Sequence, residues 1–193
     1  MKKAMKTFLR FDRREKKKLR EQETIDHMIG LCNENDLFVD VGASGGMFSN
    51  ALYPYVQEVH CIEPIRRAAE ALRNTGFQVY ECVIDESEEL QYFYVNNVFG
   101  WSGLYPQVYF KKRVRMQTTR LDSLFKHIDV LKVDVEGNEF RVLKSLGDIR
   151  PRVICIECRP ERLGFDFEHF NRLLDEYRNH IGLNCNLIVW DDK

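Results

Sequence analysis

No apolar run in the 193 residues approaches the roughly 18–20 that a membrane-crossing helix needs. The lysine- and arginine-rich start is not followed by an apolar stretch and a small-residue cleavage site, so no secretory signal is expected and the chain reads as cytoplasmic. There is no internal repeat, no linker and no low-complexity segment, which leaves one folded unit. Phosphate-binding chemistry also lacks its markers. The glycine-rich turn near residue 42 is not closed by Gly-Lys-Ser/Thr, and its third and sixth positions are Ser44 and Met47 where a dinucleotide fingerprint has glycine. Six cysteines are present, but only Cys155 and Cys158 form a C-x-x-C, and no second pair completes a zinc set. Within VICIEC their odd spacing sends the two side chains to opposite faces of a strand, so reduced, buried thiols are expected. The five histidines show no spacing that suggests a shared site.

What is abundant is charge, unevenly placed. Residues 1–20 hold ten basic and two acidic residues, a net of +8, so the rest of the chain carries −9 within a total of −1. A basic arm on an acidic body can meet phosphates or anionic lipid, although such runs are commonly solvated termini.

Periodicity then sets the order of elements. Residues 24–35 carry Ile25, Met28, Ile29 and Cys32 at helical spacing. LFVDVG (37–42), EVHCIE (58–63) and FQVYECVI (77–84) read as strands, separated by a helix from Met47 that Pro54 stops and one from Pro64 that Gly76 closes. LQYFYV (90–95) and VRMQTT (114–119) read as an inserted hairpin around the aromatic loop 96–110. A strand at 129–137, a helix, and a strand at 152–158 follow. Asp166 is placed to cap a helix whose apolar face runs from Phe167 to Ile181, and NLIVW (186–190) is a final strand. The pattern predicts an α/β fold, a mostly parallel twisted sheet with helices on both faces and an inserted β-hairpin.

In such a sheet, ligands bind beyond the carboxyl ends of the strands. Those ends read Asp40-Val-Gly42, Glu63-Pro64, Ile84-Asp85, Asp134-Val-Glu136 and Glu157-Cys-Arg159, a carboxylate at each of five. An acid before the first glycine repels a pyrophosphate but suits a cationic, amino-bearing ligand. S-adenosylmethionine has that character: an ammonium, a sulfonium and no phosphate. Glu63 follows Asp40 by 23 residues, about the offset at which an acid grips both ribose hydroxyls in dinucleotide sites. Asp85 is placed for the adenine amino group.

Four segments, DVGASGGMFS, HCIEPIRRAAEALR, TTRLDSLF and IDVLKVDVEGNEFRVLKSL, resemble in their order the motifs of the FkbM-type methyltransferases, a class I S-adenosylmethionine-dependent family. The resemblance spans residues 37 to 160, and LKVDVEGNEFRVL is its most specific part. It implies a Rossmann-like methyltransferase domain over 36–193, behind a basic helical segment at 1–35, and O-methylation of a sugar, glycan or related small molecule. Carried over by position, Asp40, Gly42, Ser44, Gly46 and Glu63 bind cofactor, while Lys132, Asp134, Glu136 and Glu139 form the second signature. Ser44 stands where the family commonly has Asn. The chain also ends soon after NLIVW, so the usual last pair of antiparallel strands is expected as a single strand, with a homodimer as one cover for the open edge.

A hydroxyl acceptor loses a proton, so a base within reach helps. Asp134 and Glu136 are the expected catalytic pair, on one side of their strand if it persists that far, and Trp101, Lys132 and Glu157 are expected to meet the acceptor. The aromatic loop, with Phe99, Trp101, Tyr105 and Tyr109, is an expected lid over it. Asp134, Glu136 and Glu157 could also present oxygens to Mg²⁺, which nothing in the sequence requires, so no metal is expected. Two other readings stay open: an RNA-modifying methyltransferase with the basic arm on phosphates, and a cofactor-binding subunit without catalysis.

Overall fold

Short Val/Ile/Leu-rich runs that are mostly apolar at successive positions need cover on both faces, and that requirement organises the chain. A computed structural model describes residues 21–96, 102–106, 110–159 and 166–192. Helix α1 (21–31) leads into β1 (Leu37–Val41), α2 (Met47–Leu52), β2 (Glu58–Ile62), α3 (Arg66–Arg73) and β3 (Gln78–Tyr80). After β4 (Val83–Ile84), β5 (Leu90–Asn96) and β6 (Phe110–Thr119), the alternation resumes with α4 (Leu121–Leu124), β7 (Val130–Val133), α5 (Glu139–Lys144) and β8 (Val153–Glu157). It closes with α6 (Phe167–Glu176), β9 (Asn179–Leu183) and β10 (Asn186–Trp190).

The seven-stranded sheet has the order β3-β2-β1-β7-β8-β10-β9, parallel except for β10, which runs antiparallel to both neighbours. Alternate residues of each strand feed opposite layers. Val39, Val41, Leu131, Val133, Ile154 and Ile156 pack under α4, α5 and α6. Phe38, Val130, Val153 and Ile188 pack under α1, α2 and α3. Each fully buried side chain of this kind stabilises the fold by roughly 1.5–3 kcal/mol relative to exposure. The order reverses at β1, which pairs with β2 on one edge and β7 on the other, so the crevice beyond Val41 and Val133 is where a ligand fits.

Three expectations are corrected. FQVYECVI is two strands: β3 joins the large sheet, while β4 turns away to pair with β6 in a separate sheet of order β4-β6-β5. The helix capped by Asp166 ends at Glu176, and Ile181, assigned to its apolar face, lies in β9. The last antiparallel pair is therefore complete, with β9 along β10, and the reason for invoking a dimer to cover that edge falls away. Tyr177 and Ile181 fit a helical and an alternating pattern equally, which is why spacing alone misassigned them. The cap itself is as expected, with Asp166 Oδ1 accepting from the backbone N–H of Glu168 and His169, both at 3.1 Å.

A buried ion pair joins the small sheet to α5. Asp85, with no exposed surface, accepts from Arg141 Nε and Nη2, each at 2.6 Å, and also from Gln91 and Asn138. Burial alone would raise its pKa, but these bonds, Arg141 foremost, hold it below the ordinary carboxylate value. The stabilisation is therefore complete above pH 3.8, the unpaired value, and is lost as pH falls through the lower folded one. Arg141→Met strands a buried carboxylate and is expected to cost about 2–4 kcal/mol near neutral pH, discounted for the partly exposed guanidinium. Urea titrations of variant and parent should converge in acid; a constant gap would locate the loss in packing instead.

The six thiols are free, Cys61 and Cys155 buried and the others half-buried. Among the described residues, no helix is long and apolar enough to cross a membrane.

Candidate active site

The first turn beyond β1 is built by close backbone contact. Gly42 N donates to Ile62 O at 2.9 Å, and Asp134 N donates to Val41 O at 3.0 Å, locking the ends of β1, β2 and β7 together. Gly42 has φ +82°, and a Cβ there would sit 2.0 Å from the carbonyl oxygen of Asp134, so only glycine fits. Ser44 has φ +52° without being glycine, a conformation that surrounding contacts must hold. Part of that hold is Glu63, whose Oε2 accepts from Ser44 N at 2.9 Å while Oε1 accepts from Ile65 N at 2.7 Å. Glu63 is 5% exposed, and burial raises its pKa against those two hydrogen bonds. Each carboxylate oxygen carries two lone pairs, so two acceptor sites remain beside the turn.

Asp40 pairs directly with Lys132 on the neighbouring strand, beneath α2. It is 3% exposed and accepts from Ser49 Oγ at 2.6 Å; burial pushes its pKa up, partly opposed by Lys132 and Ser49. Lys132 is buried too, its Nζ 3.4 Å from Asp134 Oδ2 and 4.9 Å from the Phe48 ring centroid. Burial disfavours its charge, yet Asp134 first, and Asp40 and Glu157 further off, keep it protonated with a raised pKa. Lys132, expected to meet an acceptor, is only 1% exposed. Its partners are the site's own carboxylates.

Asp134, Glu136 and Glu157 bring carboxylate oxygens within 4.8 Å of one another. The route differs from the expected one. Strand β7 ends at Val133, and Glu136 reaches the cluster because its backbone takes φ +62°, not through strand alternation. Glu157 Oε1 accepts from Arg159 Nε at 2.8 Å, so Arg159 and Lys132 each balance one member. Three oxygens so close suit a hard divalent ion in number, but the protein's own cations already offset two of the three charges. Glu139 is buried and accepts from Gly137 N at 2.9 Å, fixing the turn, with its pKa raised by burial. Asp85 sits apart from this group. Its oxygens serve Arg141, Gln91 and Asn138, so the expected adenine contact would have to displace bonds to a fully buried carboxylate.

Trp101, Phe99 and Tyr109 of the expected lid, and the basic arm at 1–20, lie outside the described residues. Another part of that loop does reach the site. Gly103 exchanges backbone hydrogen bonds with Tyr94 at 2.8 and 3.2 Å, and a Cβ on it would lie 2.9 Å from Val135 O and 3.5 Å from Glu136 Cβ. Ser49, Asn138, Arg141 and Arg159 were missed from sequence. Each acts on a partner set by the fold, so no local spacing announces it.

The model of the methyltransferase FkbM domain matches residues 40–181, from Asp40 through the whole acidic cluster. The chain belongs to that family. The FkbM domain superposes on a methyltransferase FkbM from Methylobacillus flagellatus KT with TM-score 0.56 and 16% identity, over 82% of this chain and 44% of that one. It also superposes on the magnesium protoporphyrin IX methyltransferase of Synechocystis PCC 6803, solved with bound S-adenosylmethionine (TM-score 0.51, 10% identity, 89% and 78% covered). An rRNA methylase from Streptococcus thermophilus gives TM-score 0.50 at 10% identity, over 89% and 95%. At these identities the likeness establishes the class I methyltransferase fold, which the strand order already displays. The FkbM domain spans less than half of the Methylobacillus protein. No curated protein matches the chain.

Proposed function

We propose that this FkbM protein transfers a methyl group from S-adenosylmethionine to a hydroxyl on a sugar. The observation that carries the reading is Glu63: a buried carboxylate at the end of β2, tied to the 42–46 turn by Ser44 N and retaining acceptor capacity on both oxygens. A nucleoside with two ribose hydroxyls fits that acceptor, and the absence of any phosphate fits an acidic site. Gly42, where a Cβ would collide with Asp134 O, lets the turn close against β7 beside Glu63 and is the second element of the fit.

When bound, S-adenosylmethionine supplies an electrophilic methyl carbon on a sulfonium. The chain's own task is to hold the hydroxyl in line, roughly 3–3.5 Å from that carbon, and to take its proton. Asp134 and Glu157 offer oxygens that can each accept from sugar hydroxyls, which favours a polyol acceptor. Glu136, 8% exposed and within 4.8 Å of both, accepts the proton on a carboxylate oxygen. Lys132 beside Asp134 and Arg159 beside Glu157 offset the negative charge of the cluster.

Glu63→Ala removes two hydrogen bonds from the ribose to a carboxylate, roughly 1.5–3 kcal/mol each, and is expected to weaken binding of S-adenosylhomocysteine by about 100-fold or more. Calorimetric titration of parent and variant reads this directly. Affinity within threefold or so of the parent would remove Glu63 from the cofactor site and take the reading with it.

A further inference from the structure

Charge is segregated within the folded body. Residues 90–121, the inserted hairpin and its exit, contain five basic residues and no acidic one, whereas the remainder of 21–193 holds fourteen basic and 28 acidic residues. Four of the five, Lys111, Lys112, Arg113 and Arg115, are exposed on β6, and none forms an ion pair with another described residue.

The register sorts the hairpin into two faces. Phe93 pairs with Val114 on the inner one, where Phe93 is 3% exposed. Tyr92 opposite Arg115, and Tyr94 opposite Arg113, form the outer one, because directly paired residues of an antiparallel ladder project to the same side. Arg113 lies over the Tyr92 ring, its Cζ 4.5 Å from the centroid, a cation–π contact that holds the guanidinium at the ring face. Tyr94 meets Phe110 edge-to-face at 5.2 Å, and Tyr92 and Phe110 both remain more than 40% exposed, at 45% and 44%. Along each strand, the outer residues stand about 6.8 Å apart. The result is a platform of rings flanked by cations.

This platform leads to the reaction site. Tyr94 is hydrogen-bonded through its backbone to Gly103, and Gly103 rests against Val135 and Glu136. An acceptor crossing from platform to site passes from a basic surface to a cluster of three carboxylates. Its reacting end must be uncharged and rich in hydroxyls, and its anionic group must lie further back. We infer that the outer face of the β5–β6 hairpin docks the acidic part of a saccharide acceptor, its rings stacked on Tyr92 and Tyr94 and its anionic group on Arg113 and Arg115. The inference rests on the sugar-methylation reading and narrows it to acidic saccharides. A nucleic acid strand fits less well, since the phosphates flanking each ribose would be carried into the carboxylate cluster along with the hydroxyl.

The test titrates the full chain, saturated with S-adenosylhomocysteine, with hexagalacturonate, which carries a carboxylate on every sugar and so probes the platform and not the reaction site, with maltohexaose and with dodecauridylate. Hexagalacturonate is expected to bind at least tenfold or so more tightly than maltohexaose. Its affinity should fall between about 50 and about 200 mM salt. The double variant Arg113→Gln/Arg115→Gln should lose about tenfold or more of that affinity, and Arg113→Lys/Arg115→Lys should retain most of the salt dependence. Binding of S-adenosylhomocysteine should be unchanged in both, which separates this outcome from failure of the cofactor site. Equal affinity for the charged and neutral hexasaccharides, or an unaffected Gln variant, overturns the inference. Dodecauridylate binding more tightly than hexagalacturonate overturns it too and assigns the face to nucleic acid.

Discussion

Lys132→Met is expected to destabilise the protein by about 3–5 kcal/mol, the range seen when one partner of a buried charge group is removed. The side chain is 1% exposed and stands among Asp40, Asp134 and Glu157, so its loss leaves two buried carboxylates and a partly exposed one without their shared cation. Methionine matches the length of the aliphatic stem, so packing against Phe48 is largely kept and the loss is electrostatic. The lysine's own pKa is raised in the fold, so its contribution is fully present below the ordinary lysine value of 10.5 and titrates away only above it. On the acid side the gap between parent and variant should narrow, because Asp40 already has a raised pKa and takes a proton readily once the cation is gone. Denaturant midpoints across pH 4–8 or so follow this course. A loss below about 1 kcal/mol at neutral pH would mean the carboxylates find other compensation, Arg159 foremost.

Glu136→Gln carries the largest expected effect on rate. Removal of a positioned base lowers kcat about 10²–10⁴-fold. Glutamine keeps the size and the left-handed backbone of residue 136, so S-adenosylhomocysteine should bind within threefold or so of the parent. Single-turnover methyl transfer, measured with protein in excess over labelled cofactor, reports the chemical step. A fall of less than about tenfold would assign Glu136 to shaping the 134–139 turn and leave the proton to Asp134 or solvent.

Much of the frame was legible because each central strand is short, apolar and followed by an acid or a glycine. β1, β2, β7, β8 and β10 are of that kind, as is the turn with Gly42, Ser44 and Gly46. Glu63 was singled out by its offset from Asp40, a spacing the βαβ unit imposes, and it ties the end of β2 to the 42–46 turn. What escaped depends on chain segments far apart. β4 leaves the large sheet because its partner, β6, lies over thirty residues away, and nothing within FQVYECVI marks the break. Asp85 reads as an acid at a strand end until Arg141, 56 residues on, occupies both its oxygens. Lys132 looks like a substrate-facing lysine in a signature motif, and only the layering of α2 over the sheet reveals its burial.

The pairing of β1 bears on how the chain can be made. Leu37 N donates to the carboxylate of Asp129 across a separation of 92 residues, and Phe38 to Val41 then register with Val130 to Val133. During synthesis from the amino end, β1 and β2 can meet early, but the other edge of β1 has no strand to pair with until residue 133 has cleared the ribosome. For roughly ninety residues of elongation, several seconds at typical rates, an apolar strand presents an open edge. The β5–β6 hairpin, whose contacts are local, can fold within that interval. Assembly of the central sheet is thereby tied to the emergence of the same segment that carries Lys132 and Asp134, so a chain stalled before that point has neither a closed core nor a site.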